Sequence, residues 1–211
     1  LKRNVPATYT TIQAALNACS IGDTVLVQPG TYTENIYWPK IKNIKLFSAG
    51  DSSNTFIDAN FVGRCLTIID SSTVIIDTNT VISGFKLING YSDTCSFSGA
   101  AVYSCYAWPL LSSLAITNCN VNAINSYTSN TLWGGVVNLN YKAILRKSSV
   151  YNNIVYNSGG NIIGGIIYNY GTIKEVTVIN NEVNISVNNS TNIITSALVA
   201  SFVFDKLTYI V

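Results

Sequence analysis

Apolar positions along this chain follow two periods, and the switch between them comes early. Ile12, Ala15, Leu16 and Cys19 sit at the i, i+3, i+4 spacing of one helix face, with Thr10 or Thr11 placed to cap the first turn. After Asn17 the helical period does not return. Short runs such as NIKLFS, RCLTII, TVIIDT and TVISGFKLING are rich in β-branched residues and separated by Ser, Asn, Asp or Gly. The pattern predicts one short amphipathic helix and then strands alone. TVLVQ, between the turn signals Gly22-Asp23 and Pro29-Gly30, is the first expected strand.

Two motifs alternate in the second half. One is a strand ending in Asn (LAITNCNV, SSVYNNIV, VTVINNEV), and the other opens on small residues (SGAAVYS, WGGVVNL, IGGIIYN, TSALVAS). Gly99, Gly134, Gly164 and Ser196 mark one recurrence, and Ile116, Val150 and Val178 the other, both with an uneven period of roughly thirty positions. Strand repeats of this length mean a solenoid or a propeller, and a propeller blade needs about 40 residues with another signature. The expected fold is therefore all-β, a right-handed parallel β-helix with a short N-terminal capping helix. It is read as one domain over 1–211: cap helix and first strand in 1–30, early coils in 31–95, and repeat coils in 96–211 with an uncapped or truncated C-terminal end.

That architecture gives the repeated residues structural roles. Ile and Val stack on Ile and Val of the next coil about 4.8 Å away. Small residues at 99–101, 134–135 and 164–165 mark turns where a Cβ would clash. Asn118, Asn152, Asn153, Asn180 and Asn181 are expected at left-handed corners, hydrogen-bonded from coil to coil.

Composition narrows the function classes. Only 10% of the 211 residues are charged, and twelve basic against ten acidic residues leave a net charge of +2. This excludes the electrostatic footprint of a nucleic-acid binder and a polybasic membrane patch. No apolar run approaches the ~18 residues that span a bilayer. The sequence begins without Met, which reads as a removed leader or a fragment. Cys19, Cys65, Cys95, Cys105 and Cys119 form no CxxC and have no histidine to join them, which argues against zinc and a Cys/His nucleophile. Two readings stay open for them: small buried residues, or disulfides with one bridge among Cys95, Cys105 and Cys119.

The segment VPATYTTIQAALNACSIGDTVLVQPGTYTENI, with NTFIDANFVGRCLTI and TVISGFKLINGYS after it, resembles the N-terminal coils of right-handed parallel β-helix repeat proteins of the pectate-lyase-like superfamily. The resemblance covers nearly the first ninety residues. WGGVV, IGGIIYNYGT, VYNN and VINN are similar to motifs of noncatalytic adhesin-like surface repeats. They depart from them in having Val136 or Ile166 where Ala is usual after Gly-Gly, and Val or Ile in place of Phe in the companion motif. The resemblance implies the fold; the fold hosts lyases, hydrolases, esterases, adhesins and structural proteins, so activity has to come from a site.

Polysaccharide-active enzymes of this fold use paired carboxylates, arginine bases or Ca²⁺. There is no Asp-Asp pair, no Gly-His-Gly and no Gln-Asp-Thr-Leu here, and no acid between Asp93 and Glu175. The candidate catalytic residues are thus Asp51, Asp58, Asp70, Asp77 and Arg64. Asp51 with Asp70 and Asp58 with Asp77 share one spacing, close to a short coil. Each pair is weighed as a Ca²⁺ or proton-sharing site against plain turn residues, the favoured reading. Tyr103, Tyr106, Trp108, Trp133 and Tyr141 are the chosen candidates for ligand binding among the aromatics that also include Tyr151, Tyr156, Tyr168 and Tyr170, because rigid amphipathic rings stack on sugars; core filling is the bland alternative. Phe202 and Phe204 are candidates for assembly, since the C-terminal run stays strand-like without a cap.

The expectation is a noncatalytic extracellular or cell-surface module, adhesin-like or structural. Its partners would be glycans, other copies of itself or further domains reached through the C-terminal coil. The alternative is a polysaccharide lyase built on the early Asp cluster. No cofactor is expected beyond Ca²⁺ at that cluster.

Overall fold

The computed structural model describes residues 1–70, 75–93, 98–123, 132–139, 141–157 and 162–184 in full, and the backbone of 185, 194–195 and 199–210. Every strand pair among them is parallel. The chain winds as a parallel β-helix, with the right hand that parallel crossovers take. Three ladders run its length, here called faces one, two and three in the order the chain meets them in each coil. Two narrower ladders, Tyr91–Ser92 to Glu182–Ile185 and Leu132–Trp133 to Ile194–Thr195, fill the connection between faces two and three from the third coil onward.

Each face buries one column of side chains. On face one Val25, Leu46, Ile82, Leu111, Leu145 and Ile173 are successive partners, on face two Ile57, Leu87, Ile116, Val150 and Val178, and on face three Ile36, Leu66, Val102, Val137 and Ile167. All are buried and belong to one continuous core. A single coil has nothing to close its apolar interior, so each column stabilises the fold only through the coil above and below it.

Corners between the faces follow the chemistry of the left-handed conformation. Asn89, Asn118, Asn152 and Asn180 take positive φ (57°, 54°, 54°, 50°) at equivalent points after face two. Gly99, Gly134 and Gly164 do so before face three (95°, 57°, 61°). A Cβ on Gly134 would run into the carbonyl oxygen of Val137 and stand 2.8 Å from the Tyr168 Cβ, so the small-residue motif is a steric requirement. Behind the corners at Asn118, Asn152 and Asn180 the next residue points inward: Asn153 Nδ2 donates to Asn181 Oδ1 at 2.9 Å, and Cys119 N–H donates to Asn153 Oδ1 at 2.9 Å. Between faces one and two the corner column is Gly84, Ser113, Lys147 and Glu175, all at positive φ, a set with no common residue type.

The helix is Ile12–Asn17, with Thr11 Oγ1 accepting from Ala14 N–H at its N-cap. Ile12, Ala15 and Leu16 are fully buried against the first coil. Glu34 completes the cap from the turn after face two, its two oxygens accepting from Ile12 N–H (2.8 Å) and Gln13 N–H (2.9 Å).

Two sequence expectations are corrected. The first strand is Lys2–Val5, ahead of the helix, where it pairs with Thr24–Val27 and opens face one. TVIIDT contributes no strand in its described residues 75–78; Ile75 turns out at positive φ instead. TVISGFKLING is two strands, Val81–Ser83 and Lys86–Ile88, bent at Gly84 from face one to face two. Phe204 lies in register with Ile173, and Phe202 falls where the register shifts opposite Tyr170 and Gly171.

Candidate functional site

The early carboxylates are held by turns. Asp51 Oδ1 accepts from Ser53 N–H (2.7 Å) and Ser53 Oγ (2.6 Å), bonds that lower its pKa. Asp58 Oδ1 accepts from Asn60 N–H (2.8 Å), and Asp77 Oδ1 from Asn79 N–H (2.9 Å). These are Asx turns, in which the carboxylate stands in for a backbone acceptor. Asp70 is buried and accepts from Ile76 N–H at 2.7 Å.

The equally spaced Asp pairs do not stack. Asp58 has Thr33 below it and Ile88 above, and its carboxylate takes Asn89 Nδ2 (2.8 Å), which starts an outer chain continued by Asn118 Nδ2 to Asn89 Oδ1 (2.6 Å). Asp51 projects instead over the corner of faces one and two, lining a polar cavity of about 360 Å³ with Ser52, Ser113, Lys147, Glu175 and Thr177. Among the described residues no three of His, Cys, Asp and Glu converge as a metal site.

The aromatic candidates, in contrast, come together on one side. On face three the outward row reads Tyr37, Thr67, Tyr103, Asn138 and Tyr168 in ladder order. Outward residues of a solenoid normally meet solvent, yet every member of this row except Tyr37 is buried. A second layer covers them. The Arg64 guanidinium lies 5.0 Å from the centre of the Tyr103 ring, and Trp133 and Tyr170 meet the Tyr168 ring edge-on at 5.0 and 5.8 Å. Asn138 Nδ2 donates to the Trp133 carbonyl at 2.6 Å and ties the strand to that cover.

Face three then turns into face one through a corner carrying more rings. Trp108 and Tyr141, one coil apart, stack at 5.3 Å with planes 21° apart, and Tyr106 stands exposed beside them at positive φ. Of the eleven exposed large hydrophobic residues described, six lie on this face and corner: Tyr37, Ile69, Ile75, Tyr106, Tyr141 and Tyr170. Sequence reasoning missed Tyr37, Ile69 and Ile75. The signal was ladder register, which places Tyr37 two coils under Tyr103, and it is not readable before the coil lengths are known.

The electrostatics of this side are those of neutral hydrogen-bonding groups. Burial pushes the Tyr168 hydroxyl up to about 12, with Tyr170 adding to it, and burial also raises Tyr103. Burial lowers Arg64, opposed by Tyr103, Tyr37 and Asp93. Coils four and five bring no carboxylate, since the sequence has none between Asp93 and Glu175. The arrangement offers flat apolar rings rimmed by phenolic hydroxyls, with Arg64 beneath and Lys142 beside Tyr141, a surface that can stack and hydrogen-bond a polar ligand.

No protein-family description matches the chain, and no curated protein does. Among solved structures, a pectin methylesterase from carrot is similar with a TM-score of 0.39 and 11% identity, over 99% of this chain and 82% of that one. The parallel β-helix rests on the ladders of the chain itself rather than on that likeness.

Proposed function

We propose that the chain is a noncatalytic, adhesin-like module of the cell exterior that binds neutral glycans on the aromatic face three and its corner. The observation that carries this reading is the grouping of Tyr37, Tyr106, Tyr141 and Tyr170 at the surface of that side, over the anchored rings of Tyr103, Trp108, Trp133 and Tyr168. Sugar rings present apolar C–H faces and peripheral hydroxyls, which match rings with polar tips. Among the described residues Asp51, Asp58 and Asp77 close Asx turns and Asp70 is buried against Ile76 N–H, which supports the binding module over the lyase. No helix described is long and apolar enough to cross a membrane.

The test is binding of the full chain to a panel of neutral and acidic polysaccharides, with and without Ca²⁺, in parallel with the double variant Tyr106→Ala/Tyr141→Ala. The expected result is saturable binding to a neutral glycan, unaffected by Ca²⁺ and weakened at least about tenfold by the variant, the loss of roughly 1.4 kcal/mol. Ca²⁺-dependent cleavage of an acidic polysaccharide would establish the lyase instead. Association through the last coil, with Phe202 and Phe204 at the contact, is the second part of the proposal. Its support is that, among the described residues, Val199–Ile210 pairs on one edge only, with Ile167–Ile179.

A further inference from the structure

Cys65 and Cys119 belong to different coils, the second and the fourth, yet both stand against Gly90 of the third, Cys65 by its sulfur and Cys119 by the register that places it one coil above. The residue between them explains how. At the inner position after the face-two corner, coils four, five and six carry Cys119, Asn153 and Asn181, and the third coil carries Gly90. With no side chain there, the space above Gly90 is filled from below: a Cβ on Gly90 would stand 3.1 Å from the Cys65 Sγ. That sulfur reaches up far enough to donate to the Ile88 carbonyl of the third coil at 3.3 Å, while Cys119 Sγ lies 3.5 Å from the Thr117 carbonyl. The two thiols are 0% and 1% exposed. None of the described cysteines is in a disulfide, and Cys95 lies outside the described residues.

We propose that Cys65 and Cys119 are a redox-closable staple, joined as a disulfide through the gap at Gly90 when the chain folds in an oxidising compartment. A disulfide oxidant of the glutathione or thiol–disulfide oxidoreductase class is the co-reactant. One thiol loses its proton and attacks the oxidant's S–S bond, releasing one thiolate. The second cysteine, deprotonated in turn, attacks the resulting mixed disulfide and releases the other. Two protons and two electrons leave the cysteines, and the oxidant becomes two thiols. Closure brings the two sulfurs to the ~2.05 Å of the bond. Because both thiols are sealed in the finished solenoid and burial holds the Cys65 thiol protonated, the exchange takes place while the third coil is still open. The product links the early coils to the repeat coils. It replaces the sequence expectation of a bridge among Cys95, Cys105 and Cys119, and it is independent of the glycan-binding reading.

The experiment folds the full chain from denaturant with an oxidised/reduced glutathione pair, or with excess dithiothreitol. Free thiols are blocked after unfolding, and peptides are mapped without reduction. The expected result is a linked pair of peptides carrying Cys65 and Cys119 in the oxidised sample, with a higher melting temperature than the reduced one. Cys119→Ser should lose both the link and the difference. If Cys119→Ser does not fold, the map of the natural chain decides. Alkylation of both Cys65 and Cys119 after oxidative folding, or a link from either to Cys95 or Cys105, overturns the proposal.

Discussion

Asn153 and Asn181 form the rung of an internal ladder in which one oxygen serves two donors. Asn181 Oδ1 accepts from both Asn153 Nδ2 (2.9 Å) and Asn153 N–H (3.1 Å), while Asn153 Nδ2 also reaches the Ile116 and Tyr151 carbonyls. Below, Cys119 N–H takes the Asn153 oxygen. A corner inside a coil strands backbone groups that no strand pairs, and this side chain satisfies groups from two coils at once. Asn153→Ala should therefore lose about 2–4 kcal/mol in urea unfolding, more than one neutral hydrogen bond, because several buried groups lose their partner together. Asn153→Asp should fare worse at neutral pH, since a buried carboxylate would face the Ile116, Tyr151 and Asn181 oxygens. Equal stability of all three proteins would refute the ladder's role.

Gly134 makes a sharper steric claim. Its φ of 57° and the backbone and Tyr168 atoms around its missing Cβ leave no room for alanine. Gly134→Ala should cost about 3 kcal/mol or more, through left-handed strain plus displacement of the face-three strand. Gly22, also at positive φ (84°) but with nothing within 4 Å of an added methyl, is the control: alanine there should cost only the strain, about 1–2 kcal/mol.

Leu16 seals the first coil. Leu16→Asp places a charge in a site without a partner and should lose about 4 kcal/mol or more, with aggregation as the open coil is exposed. Glu34→Ala, removing the second cap of the same helix, should cost about 1–2 kcal/mol and leave the elution of the natural chain unchanged. Unchanged melting and elution of Leu16→Asp would rule out the sealing role.

Asp23 sets an acid limit. Ser20 N–H at 2.9 Å and the Arg3 guanidinium at 2.9 Å hold its carboxyl below the ordinary range. A carboxyl depressed on folding adds stability above its unfolded pKa of about 3.9 and loses it as pH falls below that value toward the folded one. Melting temperature should thus decline below about pH 4, and Asp23→Asn should be less stable at pH 7 with a shallower acid limb. Parallel acid limbs for the two proteins would remove Asp23 from this account.

Phe202 and Phe204 carry the assembly proposal. Light scattering at high concentration should show association of the chain, reduced by Phe202→Lys/Phe204→Glu at unchanged strand content. A strictly monomeric natural chain would end that proposal.

The repeat intervals in the sequence are the ladder intervals of the fold. Val102, Val137, Ile167 and Val199 are successive partners, and each stands at the same offset after Gly99, Gly134, Gly164 or Ser196. Ile116, Val150 and Val178, the markers of the Asn motif, are themselves partners. This register was legible because a left-handed corner must be Gly or Asn to avoid strain, so each coil marks its own phase locally. Where the corner is Ser113, Lys147 or Glu175, strain is borne by neighbouring coils and the residue carries no mark. The early coils also hide their phase: Val25 pairs with Leu46 and Leu46 with Ile82, a short coil followed by a much longer one. The shared spacing of the Asp pairs therefore matches no coil. Tertiary structure alone decided the strand before the helix, the Glu34 cap, the placing of Cys65 and Cys119 on either side of Gly90 and the aromatic side. Those contacts join residues one or more coils apart through connections of unequal length, and the energy of stacking whole coils, rather than any local preference, sets which side chains arrive together.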